Sequence, residues 1–421
     1  MTLAQAWVVQ PSVRLDGIYD DNFRLETEDP DEITTARISP AVEVSRRTET
    51  VDIAGLLRVD GNFYYGDDEG IDDQSNQLLD FSYFRLGELS RFGGVLSFQR
   101  DTLLRTIRSF EGAEDITVDP PDDVDEGIVE AANVDRQQIV LGPSWQRVLT
   151  ERAEVGLSYE FADTTLGDTE GLVVAQPQAG VDTGFSLTEY QTHQVNAELL
   201  TRVTEVDRLV LPFEYLRYDA KDLDRQYNNY DLRAGVAHEF SETTSALFTA
   251  GARYTEFDGA DFGQEAGTSD TGFTALLSGT KIAGLTTFTG ALERTTAPSV
   301  SGNLVETDQL ALNVSRILSE RFSFLLRSRF FETEAINELA SGANRRFIAI
   351  QPRLHYDLSP AWALETAYEY RREKEFAETE SADSNAVFLS LVWERPVEVE
   401  QPQPTYDLED DFDPLDDSGA F

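Results

Sequence analysis

The sequence predicts an all-β chain: a transmembrane, antiparallel, up-and-down β-barrel of eighteen strands, with short periplasmic turns and long extracellular loops. Three observations carry that prediction. Apolar and polar residues alternate with a period of two from Trp7 to Trp393; tight turns alternate strictly with long polar connections; aromatic residues gather at strand ends on the apolar face. Period-two alternation marks strands because successive side chains point to opposite faces of a sheet. Segregated connection lengths and aromatic girdles distinguish a membrane barrel from a soluble sandwich.

In VDIAGLLRVDGNFYY, Val51, Ile53, Leu57, Val59, Phe63 and Tyr65 share one face, while Asp52, Arg58, Asp60 and Asn62 share the other. A helix would scatter both sets. The same pattern predicts strands over 8–19, 34–46, 51–65, 77–88, 91–101, 137–147, 152–162, 191–203 and 208–218. It continues over 228–240, 244–256, 271–281, 285–295, 307–317, 321–332, 345–357, 361–372 and 384–394.

Eight connections are tight: SRRTETV, GELSRFG, RVLTERAEV, VTEVDRL, HEFSETTSA, TKIAGLT, RILSERFSF and YDLSPAWAL. The nine between them are polar and longer, the longest running over 102–135. An even strand number places both ends of the barrel on the turn side.

The four tryptophans, Trp7, Trp145, Trp362 and Trp393, fall at turn ends on the apolar face, where a membrane interface selects amphipathic rings. Tyr19, Phe63, Tyr65, Phe81, Tyr83, Phe161, Tyr215, Phe330, Tyr368 and Tyr370 are assigned to the loop end. Arg85 interrupts the apolar face of its strand, which calls for snorkelling to the interface or a bulge that shifts the register.

Composition narrows the function. The chain has 421 residues, 40% of them hydrophobic, and a mean hydropathy of −0.35. No apolar run is long enough for a membrane-spanning helix, a criterion silent about barrels. Net charge is −44, with a pI near 4.2, which disfavours nucleic-acid partners. Cysteine is absent, which removes disulfides, thiolate chemistry and thiolate metal sites.

Ala4-Gln5-Ala6 has the small-x-small pattern of a signal-peptidase site, so residues 1–6 read as a signal-peptide remnant and 7–395 as the barrel. Residues 396–421 are acidic, carry several prolines and lack arginine and lysine, the composition of a disordered tail. In that periplasmic tail TYDLEDDFDPL interleaves apolar residues with acids in the manner of a docking peptide. Leu389, Leu391 and Trp393 end the last strand and resemble the signal read by barrel-assembly machinery; lipid is the other expected partner.

No catalytic motif is present, and neither a metal site nor a cofactor is expected; DDEGIDD at 67–73 lacks the spacing of a calcium loop. Of the histidines, only His193, with Asp182 and Ser186 nearby in sequence, resembles a catalytic grouping, and a surface polar residue is the better reading.

Parity instead points to the lumen. It places Arg14, Arg37, Arg58, Arg202, Arg233, Arg253, Arg327, Arg329, Arg353 and Arg371 inside. With them come Asp16, Glu43, Asp52, Asp60, Glu154, Glu160, Glu198, Glu214, Asp231, Glu293, Glu365 and Glu369. Such a mixed lumen serves as ion pairs that stiffen a wide barrel, as a transverse field for hydrated solutes, or as both. The 102–135 connection is expected to fold inward as a constriction.

The segments PSVRLDGIYDDNFRL and TTARISPAVEVSRRTETVDIAG resemble the start of the beta-barrel porin 2 family, with its aromatic-Asp-Asp-Asn hairpin and following ISP strand. The resemblance extends over the barrel to SNAVFLSLVWER, and the acidic tail departs from it. It implies export of an exopolysaccharide, with periplasmic polysaccharide-export proteins as partners through the tail and with Arg14, Arg58, Arg233, Arg253, Arg327, Arg329, Arg353 and Arg371 along the path. The alternatives are a passive diffusion porin for small hydrophilic solutes and a surface structural or ligand-binding barrel.

Overall fold

A computed structural model describes residues 7–27, 30–66, 73–102, 134–167, 188–221, 226–258, 267–298, 304–336, 344–375 and 380–395. Its regular elements are eighteen strands. They are β1 (Val8–Asp20), β2 (Ile33–Arg47), β3 (Val51–Gly66), β4 (Gln74–Leu86), β5 (Ser90–Thr102), β6 (Asp135–Thr150), β7 (Ala153–Leu166), β8 (Tyr190–Arg202) and β9 (Asp207–Ala220). The ring continues with β10 (Gln226–Ser241), β11 (Thr244–Asp258), β12 (Thr268–Ala283), β13 (Thr286–Pro298), β14 (Leu304–Ser319), β15 (Phe322–Ala335), β16 (Arg345–Ser359), β17 (Trp362–Glu375) and β18 (Ala382–Glu394).

Each strand pairs antiparallel with its sequence neighbours, and β1 pairs with β18 from Ser12↔Glu394 to Asp20↔Ala386, so the sheet closes on itself. Closure removes the unpaired edges that an open sheet would present. The eighteen predicted strands are all found, most of them extended by one to four residues on the loop side. About 9–11 tilted residues cross a bilayer, so strands of this length project beyond it.

The recurring Ser and Thr of the tight connections now have a role. The hydroxyls of Thr48, Thr150, Thr204, Ser241, Ser319 and Ser359 each accept a hydrogen bond from the backbone N–H two residues on, at 3.2–3.4 Å. Hydroxyl residues favour turns by this local bond. Four of these corners also carry a register shift, at Val148/Thr150, Glu239/Ser241, Ile317/Ser319 and Asp357/Ser359.

Outward positions form a band of exposed apolar side chains, among them Leu15, Leu57, Leu96, Leu141, Leu232, Phe248, Leu277, Leu312 and Leu389. A band this continuous is incompatible with water around it, and neighbouring strands bond to one another all round the ring, with the loop-side ends of β12 and β13 as the exception among the described residues. This is a membrane-spanning barrel. Its polar residues are inside, the inverse of a soluble core.

The belts need one correction. β4 runs from the loops towards the turns, so Phe81 and Tyr83, paired with Gly55 and Ile53, lie at the turn end rather than the loop end. Sequence parity fixes a residue's face; its depth requires the strand direction as well. No register shift occurs on either side of β4, and Arg85 pairs with Val51 and Phe92 one residue before the strand ends. Snorkelling at the rim is therefore the right account of it.

Candidate functional site: the lumen

The tryptophans stand at the turn rim. Trp362 pairs directly with Trp393, Trp393 with Val13, and Trp145 with Phe92; the guanidinium of Arg46 lies 5.4 Å from the Trp7 ring. His193 faces outward near the loop rim. Its Nδ1 is 2.7 Å from the Tyr159 hydroxyl and its ring lies 5.1 Å from Phe161. Asp182 and Ser186 lie outside the described residues. The imidazole belongs to the aromatic belt and points away from the lumen.

One inner wall spans β15, β16, β17, β18, β1 and β2. Arg14 donates to Asp16 and Ser390, each at 2.8 Å, and pairs with Glu365 at 2.8 Å. Arg37 donates twice to the other Asp16 oxygen, at 2.9 and 2.7 Å. Arg353 lies 3.9 Å from Glu365, which also holds His355 at 3.0 Å. Nearer the loops, Arg371 donates to Asp20 at 2.6 Å and to Ser384 at 2.8 Å, while Glu369 receives Gln351 at 2.8 Å. Arg327 is buried on the same wall and Arg329 is half-buried. Guanidiniums are suited to such planar, multiple bonding.

The network crosses the seam between the chain's two ends. Asp20 and Arg371 are each 1% exposed, and Ser384 donates to the second Asp20 oxygen at 2.8 Å. Asp21 receives both the backbone N–H and the side-chain amide of Asn385, at 2.6 and 2.9 Å. Asn22 donates to the carbonyls of Asp383 and Glu26, at 2.9 and 2.8 Å. The Asp-Asp-Asn segment thus clamps β1 to β18.

The opposite wall differs. β8 lies halfway round the ring from β17. The inward positions of β7, β8 and β9 carry Glu154, Glu160, Glu198 and Glu214, with Arg202 and Arg208 only near the turns. Among the described residues Glu198 and Glu214 belong to no ion pair, and both are half-buried. The nearest counter-charge, Arg233 on β10, is engaged with Asp231 at 3.6 Å and Glu293 at 3.9 Å. Arg58 lies 3.3 Å from Asp60 on the same strand.

Sequence parity missed two features. Arg136 and Asp101, each 3% exposed, pair at 3.0 Å below the loops. Towards the mouth, the inner faces of β8–β11 carry Tyr190, Leu216, Tyr218, Ala220, Tyr227 and Phe257 as one apolar cluster. Tyr190, Tyr218 and Tyr227 stack at 5.2 and 4.9 Å, and Phe257 follows at 6.3 Å. Rings on lumen parity were the available signal. The expected 102–135 constriction lies almost wholly outside the described residues.

No family model matches the sequence, and no curated protein matches it, so the likeness to the beta-barrel porin 2 family stays a resemblance of sequence segments. Solved structures with a similar barrel include OccAB4 of Acinetobacter baumannii, at 10% identity over 93% of this chain and 99% of that one, TM-score 0.47. A BenF-like porin from Pseudomonas fluorescens Pf-5 matches at 10% identity over 92% and 99%, TM-score 0.49. OpdK of Pseudomonas aeruginosa, solved with vanillate, matches at 11% identity over 92% and 98%, TM-score 0.47. At this identity and score the likeness is one of architecture and says nothing about a solute.

Proposed function

We propose that the chain is an outer-membrane diffusion porin for small hydrophilic solutes, with a preference for cationic and zwitterionic ones over anions. The supporting observation is the asymmetry of the lumen. Guanidiniums on the β15–β2 wall are neutralised by Asp16, Asp20, Glu365 and Glu369, whereas Glu198 and Glu214 face them across the barrel without an ion pair among the described residues. A field of this kind, focused by low-dielectric walls, concentrates counter-ions and orients dipolar solutes. An eighteen-stranded ring is wide enough for an aqueous path. No enzyme chemistry enters this reading.

Export of a polysaccharide draws no support from these features. Several arginines expected along a polymer's path are committed elsewhere: Arg371 and Arg253 are buried in ion pairs, and Arg14 is bonded on three sides. Trp7, Trp145, Trp362 and Trp393 anchor the turn rim at the lipid interface in this reading, and Trp393 closes the strand presented to the assembly machinery.

Planar-bilayer recording across a salt gradient tests the proposal. The purified barrel should give a reversal potential of cation-selective sign, and Glu198→Gln with Glu214→Gln should move it towards the anion side. A folded barrel that conducts no ions, together with loss of surface polysaccharide on gene deletion, would replace diffusion by export.

A further inference from the structure

The β12–β13 ladder stops early. The two strands pair from Ala283↔Thr286 up to Ala275↔Arg294 and no further, although β12 continues to Thr268 and β13 to Pro298. Over the same stretch β12 stays paired with β11 up to Phe257↔Thr268, and β13 with β14 up to Pro298↔Leu304. The ring is therefore parted between two strands that a tight turn joins. The parting begins below the aromatic belt, because Tyr254 pairs with Thr271, four residues nearer the mouth than Ala275.

Side-chain contacts show where the freed tips have gone. On β14 the even-numbered residues face outward: Leu310 and Leu312 are exposed, and no register shift separates them from Leu304. Yet Leu304 is 2% exposed and packs in the cluster of Tyr190, Tyr218, Tyr227 and Phe257, all of which face inward. Ile336, just beyond β15, packs against the same cluster and donates its N–H to the Leu304 carbonyl at 3.1 Å. Glu306, also even, meets Arg253 from the inner face of β11 at 3.3 Å. Outer-parity residues touch the inner wall only if the tips of β13–β15 have folded into the mouth.

Arg253 bridges the parting. Its guanidinium lies over Gly272, its direct partner on β12, and reaches both Asp270, at 2.9 Å, and Glu306. A Cβ on Gly272 would stand 2.3 Å from an Arg253 nitrogen. A side chain at 272 would therefore push the guanidinium aside.

We propose that the tips of β13–β15 form a gate hinged at Ala275/Arg294: folded inward and latched on Arg253 and the aromatic shelf it narrows the mouth, and swung outward it re-pairs with β12. Continuation of the existing register defines the open state, with Thr274 opposite Thr295 and Phe273 opposite Thr296. The gate rests on the diffusion-porin reading for its purpose, while the hinge stands on geometry alone.

Two cysteine pairs separate these claims: Thr274→Cys with Thr295→Cys, and Phe273→Cys with Thr296→Cys. Adjacent antiparallel pairs alternate between close and wide spacing, so one of the two suits a disulfide. The barrel contains no native cysteine to interfere. Oxidation of the folded, membrane-inserted protein should form the cross-link in one pair, read by mass spectrometry, and should raise single-channel conductance until reductant reverses it. Arg253→Gln and Glu306→Gln should raise it without a cross-link. A folded barrel in which neither pair cross-links overturns the hinge. A cross-link that leaves conductance at the wild-type level overturns the gate, and wild-type conductance in the same experiment shows whether the porin reading itself survives.

Discussion

Two seams of the barrel invite comparison. The one between β1 and β18 joins strands from opposite ends of the chain and has no turn to hold it. It is nevertheless paired from Ser12 to Asp20, and side chains extend the pairing to Asp21 and Asn22. The seam between β12 and β13 is tied by the turn at Gly284, where φ is +63°, yet it parts after Ala275. Connectivity fixes where pairing starts. How far it runs depends on what the residues above can bond to instead. At β1–β18 the Asp20–Arg371–Ser384 clamp holds the loop-side ends together; at β12–β13 the aromatic shelf and Arg253 offer the tips a partner inside.

Breaking the first seam should cost most. Asp20→Ala takes from Arg371, nearly sealed from water, the shorter of its two carboxylate contacts and leaves Glu369 at 3.3 Å; loss of one partner of a buried pair costs about 3–5 kcal/mol, and the remaining carboxylate puts the expected cost at the lower end, about 3 kcal/mol. The expected outcome is a large drop in the temperature at which the barrel loses its compact migration on denaturing gels. Gly272→Val, at the second seam, forces Arg253 aside; overpacking of this kind costs about 1–3 kcal/mol. It should leave assembly intact and raise conductance, since the latch is lost while the lower ladder is kept. Asp21→Ala removes two bonds to Asn385 but no buried charge pair. A destabilisation of about 1–2 kcal/mol is expected in the same melting assay. Arg85→Leu, exposed at the turn rim and in neither seam, should change melting and conductance by nothing measurable.

Much of this was legible in the alternation. Period two assigned Arg14, Arg58, Arg233, Arg253, Arg327, Arg329, Arg353 and Arg371 to the inner face, and the short connections counted the hairpins. Three things were not legible, for physical reasons. Strand direction, and with it the depth of Phe81 and Tyr83, is not encoded in parity. The parting at Ala275 is invisible because it falls inside a stretch, 271–281, that reads as a single strand. Leu304 and Ile336 have the parity of lipid-facing residues, and an apolar side chain gains as much from an aromatic shelf as from an acyl chain. The surplus was on the other partner: Tyr218 and Tyr227 are large rings at positions that ought to face water.

The corners at the periplasmic rim carry a different message. Each of these Ser and Thr hydroxyls satisfies a backbone group of its own turn. Each corner in turn lends a carbonyl to the next hairpin, as Thr50 does to the Leu86 N–H at 2.8 Å and Val206 to the Glu239 N–H at 2.9 Å, so a corner is complete only once its neighbour has docked. The corner with its borrowed bond is the repeating unit of the rim, and strand number becomes a matter of how many are strung together. Inserting one more such hairpin between two existing corners would widen the ring by two strands and leave every other corner as it is.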